Sequence, residues 1–133
     1  MARNSLGVVP IGRQYGLPFV NATLLANGLS VALSNVIIDT GSASSIFSAD
    51  KMLDIGLFCS AEDQLFIISG VVGEEYVFSK TIHSLGVGNL SILDFKIEVG
   101  AMDYGFQFDG ILGMDFLLLA KATLDFKQMV IKD

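Results

Sequence analysis

The 133-residue sequence has few of the residues that build metal centres or cross-links. It contains one cysteine, Cys59, and one histidine, His83. A single cysteine excludes an internal disulfide and is typical of a reducing compartment, and one Cys with one His is too little for a zinc site. Long apolar runs are also missing, since the longest covers residues 116–120 and a membrane-spanning helix needs about 18. We therefore expect no metal, no cofactor and no membrane span.

Basic residues are scarce as well. Eight Lys and Arg stand against 14 Asp and Glu, which gives a net charge of −6. The basic residues are scattered along the chain, which argues against a nucleic-acid-binding surface. Residues 1–12 lack the basic and then apolar layout of a signal peptide. With neither a signal peptide nor a membrane span in the sequence, we expect a cytoplasmic protein.

The chain is rich in short apolar segments separated by turn residues. Hydrophobic residues make up 52% of it and charged residues 17%, enough for a real core in one domain over residues 1–133. Asn27-Gly28 between two apolar segments is a strong hairpin signal, and Ser34-Asn35 indicates a kink or bulge. We predict about nine strands and two short helices, at residues 49–54 and 114–120. This pattern indicates an all-β, barrel-like domain.

Residues 36–42 (VIIDTGS) are the most informative stretch. Three apolar residues that favour strands run directly into Asp39, which indicates a strand buried on both faces that ends at a carboxylate. Burying an ionised carboxylate is costly, and that cost favours a functional role. Asp39 could equally hold a turn by accepting bonds from backbone amides two residues on. This stretch alone leaves both interpretations open.

Residues 70–73 (GVVG) form an uncharged, glycine-bracketed tip between two predicted strands. The simplest interpretation is an ordinary loop. Apolar residues at an exposed hairpin tip also suit a flap, over about residues 68–75, that covers a bound molecule.

The second half of the chain repeats the pattern around Asp39. Residues 111–113 (ILG) again form an apolar segment that ends at a glycine and leads into a short helix. Leu112 stands where the first half carries Asp39. One chain therefore offers one such acid, and chemistry that needs a pair would need two chains. Asp109 and Asp115 flank this motif, and we interpret them as caps of a turn and of a helix. Cys59 is predicted to be a buried small residue.

Taken together, these features resemble the retropepsin-like aspartic proteases, in particular the bacterial and other non-viral members. The Asp-Thr-Gly-Ser sequence at residues 39–42, the flap-like hairpin and the Ile-Leu-Gly motif before a helix carry the resemblance, which extends over about 110 residues. It implies a closed all-β barrel with one or two short helices, and a homodimer in which each chain supplies one Asp. The implied activity is hydrolysis of peptide or protein substrates by an activated water.

The resemblance also assigns roles to particular positions. The implied catalytic residues are Asp39, Thr40 and Gly41, and the implied substrate-binding residues are Ser42, Gly70, Val71, Val72 and Gly73. A hydroxyl at Ser42 beside the acid pair is expected to favour its ionised form and so to lower the pH optimum.

The chain departs from the viral members near its dimer contacts. Viral enzymes carry an acidic residue shortly after Asp-Thr-Gly and an Arg after their Ile-Leu-Gly-like motif. Here residues 42–45 (SASS) contain no acid, and Met114-Asp115 contains no base. The dimer contacts must therefore differ.

The sequence leaves one alternative function open and gives no support to another. A non-catalytic dimeric binding or assembly domain could keep the same barrel, although it would have no need of a costly buried acid pair. A carboxylate-pair glycosidase would need a wider acid spacing and a sugar cleft, which nothing in the sequence favours.

Overall fold

The computed structural model describes residues 8–70, 73–103 and 108–133. The secondary structure within them consists of short and long strands, two α-helices and a single 3₁₀ turn. The strands are β1 Val8–Pro10, β2 Gly12–Gln14, β3 Leu17–Ala26, β4 Leu29–Ile38, β5 Ile46–Ser48, β6 Phe66–Gly70, β7 Gly73–Val87, β8 Leu90–Gly100, β9 Gly110–Leu112, β10 Thr123–Asp125 and β11 Val130–Lys132. The helices are α1 Ala49–Met52 and α2 Met114–Leu119, and the 3₁₀ turn is Leu53–Ile55. None of the helices in these ranges has the length and apolar character needed to cross a membrane.

The main sheet closes on itself. Its strands run in the order β2-β3-β4-β9-β5-β8-β7-β6, and an additional antiparallel pairing joins β3 to β7. Strands β3, β4, β9, β5, β8 and β7 therefore form a closed ring, with β2 and β6 outside it. The prediction of an all-β closed barrel with short helices is confirmed. A separate three-stranded sheet, in the order β1-β11-β10, brings the two ends of the described chain together.

The hairpin that leads to Asp39 forms as predicted. Asn27 and Gly28 have φ values of 55° and 74°, which match the two-residue turn that Asn-Gly favours. Val20 pairs with Val36 and Ala22 with Leu33, so two residues of β4, Ser34 and Asn35, oppose one residue of β3. This is the predicted bulge, and beyond it β4 runs as a strand buried on both faces.

The core fills the ring. Val36, Phe47, Leu112 and Phe116 are completely buried within it. Phe116 on α2 packs edge-on against Phe95 of β8, with ring centroids 6.0 Å apart and an interplanar angle of 88°. Aromatic pairs favour this geometry, so α2 is held firmly against the barrel.

Several details of the prediction were wrong. The predicted helix over residues 49–54 is split into α1 and the 3₁₀ turn, and it ends at Gly56 with φ 74°. Strands β1 and β2 were not foreseen, because a strand of three residues is too short to show a periodicity. Cys59 is exposed and not buried.

Candidate active site

Asp39 is the first residue after β4. Its backbone N–H donates to the Leu112 carbonyl at 3.0 Å, and its Oδ1 accepts the Gly41 N–H at 2.9 Å. The Ser42 N–H donates to the Asp39 carbonyl at 3.1 Å and closes the turn. Within the described part of the chain, no hydrogen bond engages Oδ2 of this half-buried side chain. The carboxylate therefore both holds the turn and keeps one oxygen available.

The residues after Asp39 form what we call the active loop, residues 39–45. Thr40 and Gly41 are exposed and Ser42 is half-buried. The Ser42 hydroxyl donates to the Ser44 carbonyl at 2.7 Å. Because that bond uses the only hydroxyl proton, Ser42 does not donate to Asp39 in this structure. The lower pH optimum stays a prediction.

The Ile-Leu-Gly motif packs directly behind this loop. Strand β9 runs parallel to β4, with Ile38 paired to Leu112. Two residues after Leu112, the Met114 N–H donates to the Ser42 carbonyl at 2.8 Å. The apolar motif and the active loop are therefore one hydrogen-bonded unit.

Asp115 fixes the far end of the active loop. Its Oδ2 accepts the Ser45 N–H at 3.0 Å, and its Oδ1 accepts the Ser45 hydroxyl at 2.7 Å and the Phe116 N–H at 2.8 Å. Ser45 Oγ in turn accepts the Gly113 N–H at 2.9 Å. Asp115 lies in the first turn of α2, but the N-cap is Gly113 and no side chain caps the helix, so the predicted cap was wrong. The bonds of Asp115 to Ser45 were missed because they cross 70 residues of sequence.

Asp109 supports the β4 bulge. Its Oδ2 accepts the Asn35 N–H at 3.2 Å, and its own N–H donates to the Asn35 carbonyl at 2.8 Å. It is 6% exposed and lies directly before β9. Asp109 was predicted to cap a turn, and its carboxylate instead bonds the bulge across 74 residues of sequence.

The predicted flap is a hairpin of β6 and β7. Ile68 pairs with Glu75, Ser69 with Glu74 and Gly70 with Gly73. Val71 and Val72, which the sequence assigned to its tip, lie outside the described residues. We call the paired residues, 66–70 and 73–77, the flap hairpin; its role in substrate binding stays a prediction.

A groove of about 510 Å³ adjoins the active loop at Ala43 and Ser44. The apolar side chains of Leu93 and Leu119 line this groove, together with the carboxylates of Glu98 and Asp115. Burial raises the pKa of the Glu98 carboxyl, the nearby Asp115 raises it further, and Lys96 partly offsets both. Two acids on one side of the loop therefore repel each other.

Replacing this acid is expected to change how stability depends on pH. A carboxyl whose pKa is higher in the folded than in the unfolded protein stabilises the fold at low pH, and that contribution is lost as the pH rises through its folded pKa. Glu98→Gln should therefore raise the melting temperature at pH 7. The gain should shrink as the pH falls toward the ordinary Glu pKa of about 4.5 and should be lost below it. Thermal unfolding from pH 3.5 to pH 7.5 measures this, with the exposed Glu62→Gln as the control; a gain that is constant with pH would contradict it.

Residues 23–118 match the sequence family described as “gag-polyprotein putative aspartyl protease”. The match covers well over half of the chain. The chain belongs to this family. The family's retropepsin-like fold is also found in a solved structure, the crystal structure of a retropepsin-like aspartic protease from Rickettsia conorii, with a TM-score of 0.63 and 22% identity. That likeness covers 94% of this chain and 98% of the other.

No curated protein sequence gives a significant match. The retropepsin-like family and fold that the motifs predicted are confirmed. In residues 8–70, 73–103 and 108–133, no three His, Cys, Asp or Glu side chains come together as a metal would require.

Proposed function

We propose that this family member is an aspartic endopeptidase that acts as a homodimer, with one Asp39 from each chain in a shared site. The observation that carries the proposal is the Asp39 turn. Its carboxylate keeps one oxygen available, and the turn is hydrogen-bonded to Leu112 and Met114 behind it. A single chain provides one such acid, and proton-shared catalysis needs two.

The proposed chemistry follows from placing two carboxylates side by side. At a separation of about 3 Å they cannot both ionise, so they share one proton, as in the general description of aspartic proteases. The ionised member removes a proton from a water that attacks the peptide carbonyl. The protonated member stabilises the oxyanion and then helps protonate the leaving nitrogen. No metal or cofactor takes part.

The neighbouring residues have supporting roles in this proposal. Thr40 links the two active loops across the dimer axis, and Gly41 presents its carbonyl to the substrate backbone. The substrate is an extended peptide with apolar residues near the cleaved bond. It lies between Ser42 and the flap hairpin with its tip, residues 70–73, and pairs in the manner of a strand.

The alternative is a dimeric binding or assembly domain without catalysis. The hydrogen-bonded design of the active loop favours the enzyme, because a binding domain gains nothing from an acid with an uncommitted oxygen. In either case the partners are a second copy of the chain and a peptide or protein, and we propose neither nucleic acid nor a membrane as a ligand.

Dilution tests the shared site. Below the dimer dissociation constant, the rate per chain should fall in proportion to concentration, because only dimers hold both acids. Initial rates on a fluorescence-quenched peptide, with sedimentation over the same concentrations, should give one common midpoint. A rate per chain that stays constant while sedimentation shows monomers would exclude a shared site.

A further inference from the structure

Glu75 connects the flap hairpin to a distant part of the chain. Its Oε2 accepts the Met102 N–H at 2.7 Å, across 27 residues of sequence. Its neighbours Glu74 and Tyr76 are exposed, whereas Glu75 is half-buried. Hydrogen bonds from backbone amides to a carboxylate are stronger than those to a neutral acceptor. The contact is thus a specific attachment and not a solvated surface charge.

Gly100 provides the space for this attachment. It pairs with Val77 at the end of β8, and a Cβ built at this position would lie 2.9 Å from Glu75 Cδ and 3.0 Å from Val77 Cγ1. Only the absence of a side chain lets the carboxylate lie this close to the backbone.

Met102 adopts an unusual backbone conformation at the other end of the bond. Its φ is +59°, in the left-handed region that a bulky residue rarely adopts, and its side chain is 3% exposed. Such conformations persist where the surroundings hold them in place. The bond to Glu75 and the burial of the Met102 side chain both restrain this conformation.

The bond ties the flap hairpin to the end of a strand that lies beside the active loop. Glu75 lies opposite Ile68 in the flap hairpin. Met102 follows β8, and β8 pairs in parallel with β5, the strand directly after the active loop. A hairpin attached here has fewer orientations to lose when a peptide binds, and a smaller ordering cost strengthens binding.

We propose that Glu75 is a positioning residue: its bond to Met102 fixes the flap hairpin relative to the active loop and so strengthens peptide binding, without contact with the reacting atoms. The proposal rests on the proposed protease function. It predicts an effect on KM more than on kcat, because a pre-ordered hairpin helps the bound peptide and the transition state alike.

Three variants test the role on a fluorescence-quenched peptide with apolar residues around the cleaved bond. Glu75→Ala should raise KM about five- to tenfold and change kcat by less than about twofold. Glu75→Gln keeps a carbonyl oxygen that accepts the Met102 N–H, so it should bring KM back to within about twofold of the wild type. Glu62→Ala, which removes an exposed acid outside the flap hairpin, should leave both constants unchanged.

Hydrogen exchange at the Met102 amide gives a second measurement that does not depend on activity. Protection should fall at least about tenfold in Glu75→Ala and persist in Glu75→Gln and Glu62→Ala. Gly100→Ala, which displaces the carboxylate, should raise KM as Glu75→Ala does, and the two changes together should raise it no further.

The outcomes separate the two proposals. If the wild type cleaves no peptide, the proposed function fails and the positioning role fails with it. If the wild type cleaves and Met102 protection is lost in Glu75→Ala without a change in KM, only the positioning role is overturned. A fall in kcat at constant KM, or unchanged Met102 protection in Glu75→Ala, overturns it as well.

Discussion

Asp39→Asn is expected to lower kcat for peptide cleavage by about 10³-fold or more while leaving the fold intact. An asparagine amide can neither take a proton from water nor share one with the partner's Asp39. Its Oδ1 can still accept the Gly41 N–H that now bonds to Asp39 at 2.9 Å. The turn and its contacts with β9 should therefore survive, and the loss should be chemical.

Asp125 offers a matched control for this substitution. Its Oδ1 accepts the Lys127 N–H at 3.0 Å and the Gln128 N–H at 2.9 Å, the same kind of side-chain-to-backbone turn in an exposed loop. Asp125→Asn should keep full activity. Initial rates on the quenched peptide, together with melting temperatures for all three proteins, separate loss of chemistry from loss of folding. Equal cleavage by wild type and Asp39→Asn would contradict the protease assignment.

Mixed dimers extend this test to the pairing of the acids. With an equal amount of Asp39→Asn chain, about half of the wild-type chains pair with an inactive copy, so the activity per wild-type chain should fall to about half. An unchanged activity after subunit exchange would show that each Asp39 acts alone. Asp125→Asn chain added in the same amount should cause no such loss.

The sequence predicted best those features that short-range patterns carry. Asn27-Gly28 predicted its turn, the VII segment before Asp39 predicted a strand buried on both faces, and the ILG motif predicted its own strand and helix. Each depends on a few adjacent residues whose conformational preferences agree with the fold. The ring closure between β3 and β7 depends on distant pairing, and it followed only from the family resemblance.

The contacts that were missed link residues far apart in sequence. Nothing near Ser45 indicates that its N–H and hydroxyl bond to Asp115, and nothing near Glu75 indicates Met102. The directions of side chains also could not be predicted from the sequence. Ser42 lies in the active loop, and the bond of its hydroxyl to Ser44 depends on a rotamer that sequence pattern does not specify. Local sequence patterns predict which strand or helix a residue belongs to, whereas tertiary packing determines which distant residues it bonds to.

Gly113→Ala is expected to destabilise the protein by about 3 kcal/mol or more and to remove peptide cleavage. The φ of Gly113 is −97°, which any residue can adopt, so the added volume alone decides the outcome. A Cβ here would lie 2.5 Å from the Ser44 carbonyl oxygen, 2.7 Å from its carbon and 2.9 Å from the Ser42 carbonyl oxygen. These are backbone atoms of the active loop, and no side-chain rotation relieves the clash.

The loop cannot move away without breaking bonds that hold it. Two hydrogen bonds tie the loop to residues 113 and 114. The Met114 N–H donates to the Ser42 carbonyl at 2.8 Å, and the Gly113 N–H donates to Ser45 Oγ at 2.9 Å. Any shift would also displace Asp39, three residues before Ser42. Denaturant unfolding measures the loss of stability, and single-turnover cleavage at low temperature, where folded variant remains, measures the effect on the site.

Gly86→Ala is the matched control, because Gly86 also lies in the barrel but has room for a methyl group. A Cβ there would lie 3.7 Å from the Leu90 carbonyl oxygen and 3.9 Å from that of Thr23, both ordinary contacts. Its stability should stay within about 1 kcal/mol of the wild type, since an alanine also loses less backbone entropy than a glycine on folding. Cleavage at the wild-type rate by folded Gly113→Ala would contradict this prediction. It would mean that the active loop can be displaced without loss of activity and that β9 does not set the position of Asp39.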